Sequence, residues 1–109
     1  MTPEAFVKHI EGIYTKCVAV LKKKNADYSA SDSNPFRNFE AVEHFGITDT
    51  KSGIMVRMTD KFTRIANLLK KDPSVVEESL QDSLEDLINY AAILHARIEH
   101  EKITKKKKA

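Results

Sequence analysis

The sequence predicts an all-α fold: about four helices, one of them short, in a bundle completed by oligomerisation. Three observations carry that reading. Apolar residues recur every three or four positions over long stretches, which is the period of a helix face. Three glycines and three prolines in 109 residues leave few places to break an element. No run of branched residues alternates with polar ones, and no Asn-Gly pair marks a hairpin turn, so nothing reads as a strand.

The first helix is expected from about Pro3 to Asn25. Thr2 can cap it, and Pro3 suits the first helical position, where its missing N–H had no partner to lose. Phe6, Ile10, Ile13, Cys17 and Leu21 build its apolar stripe. Cys17 reads as a small buried hydrophobe within that stripe rather than as a reactive thiol. Residues 25–34 are rich in Asn, Asp and Ser, whose side chains compete for the local backbone and favour a loop. Asn34-Pro35 then reads as a cap and first position of a short second helix that runs to about His44 and ends near Gly46.

A third helix is expected from about Thr50 to Lys71, capped by Asp49 or Thr50. Its buried stripe would be Ile54, Met58, Phe62, Ile65 and Leu69. Asp72-Pro73 stops it, because the residue before proline avoids helical geometry. Ser74 and Glu77 have capping-box spacing at the start of a fourth helix that continues to about Ile103. Leu80, Leu84, Leu87, Ala91, Leu94 and Ile98 make its core stripe. The division is one helical domain over residues 1–103 and a disordered lysine-rich tail over 104–109.

Composition narrows the function. The net charge is +2, but four lysines sit at Lys105–Lys108; without those four charges, +2 becomes −2. A slightly acidic folded part argues against a nucleic-acid partner. No apolar run approaches the roughly 20 residues that span a bilayer, so no membrane is expected. Met1 to Lys8 show no secretory pattern, and the single cysteine suits the reducing cytoplasm.

Two polar constellations stand out. On the fourth helix, Glu78, Asp82, Glu85 and Asn89 fall within a sector of roughly 60°, with Asp86 beside it. No Lys or Arg lies between Glu77 and Arg97 to balance these acids. The face is either solvated or holds a cation, and Mg²⁺ is the hard cation that few carboxylates and substrate phosphates bind together. Its ligand candidates are Asp60, Glu78, Asp82 and Asp86. On the third helix, Arg57, Asp60, Lys61 and Arg64 line one side. They either bridge to the acids of the fourth helix or clamp phosphate, whose oxygens match the guanidinium fork. Lys24 joins Arg57, Lys61 and Arg64 as a phosphate candidate. Asp27, Tyr28, Asn34, Phe36, Arg37, Asn38 and Asn89 are candidates for base or sugar. Phe36 and Phe39, three residues apart, can equally plug the core, and for Phe39 the core role is preferred. The four histidines show no close metal-ligand spacing, and there is no glycine-rich phosphate loop.

Taken in order, Lys24-Asn25-Ala26-Asp27-Tyr28, the run from Asn34 to Glu40, Arg57-Met58-Thr59-Asp60-Lys61 with Arg64, and Glu78-Ser79 with Asp82, Leu84, Asp86, Leu87 and Tyr90 resemble a small family common in phages, nucleotide modification associated domain 1. The resemblance covers about residues 15 to 98. The family is also distantly similar to all-α, MazG-like nucleotide pyrophosphohydrolases, which hold Mg²⁺ on acids of two helices and cut a nucleoside triphosphate to monophosphate and pyrophosphate. That similarity implies a Mg²⁺-dependent hydrolase in the host cytoplasm with Asp60, Glu78 and Asp82 as its catalytic acids. Two departures accompany it: Ser79 stands where a second Glu of the ExxD helix would sit, and Arg57 and Asp60 stand where the other helix would carry two Glu. Fewer acids and more bases suit phosphate binding without hydrolysis, as in a protein that sequesters a nucleotide signal or delivers a modified nucleotide. A structural interaction protein, its charged stripes serving as helix–helix bridges, is the third reading. The expected partner is a nucleotide or nucleotide-derived small molecule. A homodimer or higher homo-oligomer is expected too, with the acidic face lining a cleft that another subunit completes.

Overall fold

The computed structural model describes residues 1–28 and 33–108, and the side chains of 1–25 and 33–107. It contains four helices and, among the described residues, no strand: α1 (Pro3–Tyr28), α2 (Arg37–His44), α3 (Thr50–Leu68) and α4 (Pro73–Lys108). The chain divides into two units, Met1–Pro35 and Phe36–Ala109.

The first unit is α1 with its flanks. The Thr2 hydroxyl accepts the Ala5 N–H at 3.1 Å, the cap expected from the sequence. Within the helix Cys17 is buried, as its place in the apolar stripe implies. Helix α1 runs to Tyr28, three residues past the expected end.

In the second unit α2 begins at Arg37, two residues later than expected. Its cap position is Phe36, with no side-chain cap, so Asn34 and Pro35 lie upstream of the helix instead of opening it. Its end follows the sequence closely. Gly46 adopts φ 74°, the left-handed region that glycine enters without penalty. The Gly46 N–H then donates to the Glu43 carbonyl and the Ile47 N–H to that of Val42, which satisfies two of the last helical carbonyls.

Asp49 caps α3: its carboxylate accepts the Ser52 N–H at 2.7 Å and the Ser52 hydroxyl at 3.1 Å. These bonds hold the Asp49 carboxyl below its ordinary pKa. The next residue, Thr50, is fully buried. Its N–H donates to Glu43 Oε1, but its hydroxyl has no hydrogen-bond partner among the described residues. At the start of α4 the expected capping box gives way to a stronger cap. Asp72 accepts both the N–H and the hydroxyl of Ser74, and Pro73 becomes the first helical residue. The far end of α4 is also longer than expected. It continues through the lysine run to Lys108, because lysine is a good helix former and cations suit a helix C-terminus.

Helices α3 and α4 form an antiparallel hairpin. Lys51 pairs with Glu101, Lys61 with Asp86, and Arg64 bonds Ser83, so partners descend on α4 as they climb α3. Helix α2 packs on α3 at Gly53, where an added Cβ would lie 2.6 Å from Val42 Cγ2. Gly53 is nine residues from Phe62, about 180° around the helix. The side of the hairpin that carries α2 is therefore the side away from Phe62. This corrects the expected core stripes: Phe62, Leu69, Leu84, Ala91 and Ile98 are exposed, while Ile54 and Ile65 are buried and Met58, Leu80, Leu87 and Leu94 half-buried. Two helices meet along one line only, and the second unit has no further helix on that side.

Candidate functional site

One end of the hairpin is closed by a buried arginine. Arg97 Nη1 donates to Glu40 Oε2 at 2.6 Å, and its Nε donates to Glu101 Oε2 at 2.7 Å. Its guanidinium lies 5.2 Å from the centre of the Phe36 ring, which also meets His100 at 5.1 Å. Burial works against the charge, but the hydrogen bonds that the arginine donates to Glu40 and Glu101 outweigh it and hold the arginine above its ordinary pKa. The same bond, with Lys51 beside it, holds the Glu101 carboxyl below its ordinary range. This network ties α2, α3 and α4 together. Phe36, a candidate for base contact, is buried within it.

The middle of the hairpin is polar in a different way. Arg57 donates from Nη2 to the Asn38 carbonyl at 3.4 Å and lies over the Phe39 ring, 4.6 Å from its centre. Phe39 in turn meets Tyr90 edge-on at 6.4 Å. One turn on, Lys61 forms a half-buried ion pair with Asp86 at 2.9 Å. Arg64 donates from Nε to the Ser83 hydroxyl at 3.1 Å, and that hydroxyl donates to the Ser79 carbonyl at 2.8 Å. Among the described residues no carboxylate lies within ion-pair distance of Arg57 or Arg64.

The two sequence readings of this stripe therefore divide by residue. Lys61 is a bridge to the fourth helix, as one reading held. Arg57 and Arg64 are held by neutral oxygens and an aromatic ring. A guanidinium carries five N–H donors, so each keeps most of its hydrogen-bonding capacity.

The structure brings the remaining candidates together only in part. Asp60, Glu78 and Asp82 are exposed, with no hydrogen-bond or ion-pair partner among the described residues. Among the described residues no three His, Cys, Asp or Glu side chains converge as a metal site would require. Asp86 is committed to Lys61. Arg37 and Asn38 are exposed in the first turn of α2, and Asn89 is half-buried on α4. Lys24 and Asn34 belong to the first unit, the former exposed and the latter half-buried. The side chains of Asp27 and Tyr28 lie outside the described residues. Ser83, Tyr90 and Phe39 are site neighbours that the sequence reading did not select. Ser83 carried a signal: with Val76, Leu80, Leu87, Tyr90 and Leu94 it keeps a three-and-four spacing along α4, so a hydroxyl stands where an apolar residue would normally face α3.

The sequence profile of nucleotide modification associated domain 1 matches residues 24–98. The chain belongs to this family. The matched span runs from the end of α1 through most of α4 and includes Arg57, Lys61, Arg64, Ser83, Asp86 and Tyr90. No curated protein and no solved structure matches the chain. No helix among the described residues is long and apolar enough to cross a membrane.

Proposed function

We propose that the polar face of the hairpin binds the phosphates of a nucleotide or nucleotide-derived small molecule through Arg57 and Arg64. The observation that carries this reading is their lack of carboxylate partners while Lys61, between them, has one. Ion-pair arginines sit against acids, as Arg97 does; these two are positioned by neutral groups and keep their charge unmatched. They are seven residues apart, roughly 10 Å along the helix axis, a distance that a nucleoside di- or triphosphate spans. Membership in a family named for nucleotide modification points to the same class of ligand.

Hydrolysis of that ligand is the finer version of this reading. It would use Mg²⁺ on Asp60, Glu78 and Asp82, as the pyrophosphohydrolase resemblance implies. Among the described residues those three acids do not converge. Binding without turnover is the form the side chains support, and Mg²⁺ enters as a variable of the experiment.

Calorimetric titration of nucleoside triphosphates and diphosphates, with and without Mg²⁺, tests the proposal. Wild type should bind. Arg57→Lys keeps the charge but loses the planar fork, and should bind at least about tenfold more weakly, the 1.5 kcal/mol typical of a hydrogen bond to a charged group. Equal affinity in the two proteins would remove Arg57 from the site, and no binding by wild type overturns the proposal. Release of phosphate or pyrophosphate in the presence of Mg²⁺ would establish the hydrolytic version.

A further inference from the structure

The side of the hairpin away from α2 is apolar and open. Met55, Phe62 and the C-cap residue Leu69 form a row at seven-residue intervals along α3 and its end, with fractional exposures of 50%, 59% and 66%. Leu84, Ala91 and Ile98 form a second row at the same interval along α4, where Leu84 is 42% and Ile98 41% exposed and Ala91 is exposed too. Helical arithmetic puts both rows on one face. In an antiparallel pair, turning away from the seam in the same sense on each helix leads to the same side, and both rows lie past the seam in that sense. The half-buried Met58, Leu80, Leu87 and Leu94 fill the strip between them.

We propose that this face is the interface between two copies of this chain. The area is sufficient. A large apolar side chain carries on the order of 200 Å², so the half-exposure of these five leaves roughly 500 Å², or about 1,000 Å² across two copies. That reaches the size at which specific interfaces begin, and the roughly 500 Å² on one copy lies towards the upper end of the largest patches that monomers leave open, which are often functional. The demand is present as well. Among the described residues of the second unit, only Phe36, Ile54 and Ile65 are buried apolar side chains, a small core for an independent fold.

A second copy offers a matching surface, because each apolar row can meet the other row of a two-fold partner. A two-fold axis parallel to the helices, in the plane of the interface, lays α3 of each copy antiparallel along α4 of the other, so that the apolar row of α3 faces the apolar row of α4. The result is a four-helix bundle with the α2 side of each hairpin, and with it Arg57 and Arg64, turned outward.

Light scattering of the full chain at tens of micromolar tests this. Wild type should have twice the chain mass. Ala91→Glu replaces an exposed alanine by a good helix former, so the monomer loses no contact and should keep its helix content by circular dichroism. A carboxylate at the centre of an apolar interface should weaken dimerisation by at least about a hundredfold. Ala96→Glu, exposed on a different face of α4, should leave the dimer intact. A monomeric wild type overturns the proposal, since the face would then be covered within one chain or not at all. A dimer that survives both Ala91→Glu and Phe62→Asp overturns it as well, by placing the contact elsewhere.

Discussion

Arg97 lies in the second half of α4 with its guanidinium buried and two carboxylates bonded to it, whereas Arg57, at the middle of α3, rests on Phe39 and gives one N–H to a backbone carbonyl. Both sit on the same hairpin, and both lie close to an aromatic ring of the segment around α2. The difference is in what balances the charge. Around Arg97 the acids come from α2 and α4, so the network holds the fold together. Around Arg57 the fold supplies orientation without neutralisation. An oriented, unbalanced guanidinium is what an anionic ligand needs, and the contrast separates a structural arginine from an available one without reference to any ligand.

The contrast can be broken most severely at Arg97. Arg97→Met should destabilise the protein by about 2–3 kcal/mol in urea unfolding. That is somewhat less than a fully buried pair would lose, because Glu40 and Glu101 keep partial access to water. A ΔΔG below about 0.5 kcal/mol would remove the structural role. Arg57→Met sharpens the other half. In the absence of ligand it should change stability by no more than about 0.5 kcal/mol, as for a surface substitution that breaks no buried pair; a loss comparable to that of Arg97→Met would make Arg57 structural too.

The smallest effect is in pH dependence. The Glu101 carboxyl has its folded pKa lowered by Arg97, so the unfolded state takes up its proton first as pH falls. Its contribution is present above the ordinary carboxylate value and is lost as pH drops through the depressed folded value. Midpoints of urea unfolding measured from neutral pH down to pH 3 should fall less steeply for Arg97→Met than for wild type. Parallel curves would show that Glu101 draws nothing from the arginine. The group is partly exposed, so the difference is expected to be modest.

Much of this architecture was legible in the periodicity. The four helices, the Thr2 and Asp49 caps and the Gly46 stop follow from local chemistry, and each is found in the structure. The starts of α2 and α4 were not, because α2 opens without a side-chain cap and two capping residues competed at α4. Asp72 takes the role that Ser74 and Glu77 could have shared, and the cap position of α2 falls on Phe36 rather than Asn34. The apolar stripes were legible, but their burial was not. Periodicity shows which face of a helix is apolar; whether another helix reaches that face depends on the packing of the unit. The same limit applies to the site. Spacing placed Arg57, Lys61 and Arg64 on one face, but only the geometry separates Lys61, held by Asp86, from its neighbours. Arg97 escaped notice as a structural residue although it stands at the next step of the Leu80, Ser83, Leu87, Tyr90, Leu94 spacing, where a charge has to be neutralised.

The buried hydroxyl of Thr50 has a different kind of consequence. A polar atom removed from water with no partner costs the fold the hydration it gave up. Valine has nearly the same shape and no such atom, so the position holds a reserve of about 1 kcal/mol that natural selection has not drawn on. For anyone wishing to harden this protein against heat without touching either face of the hairpin, the first residue of α3 is the place to begin.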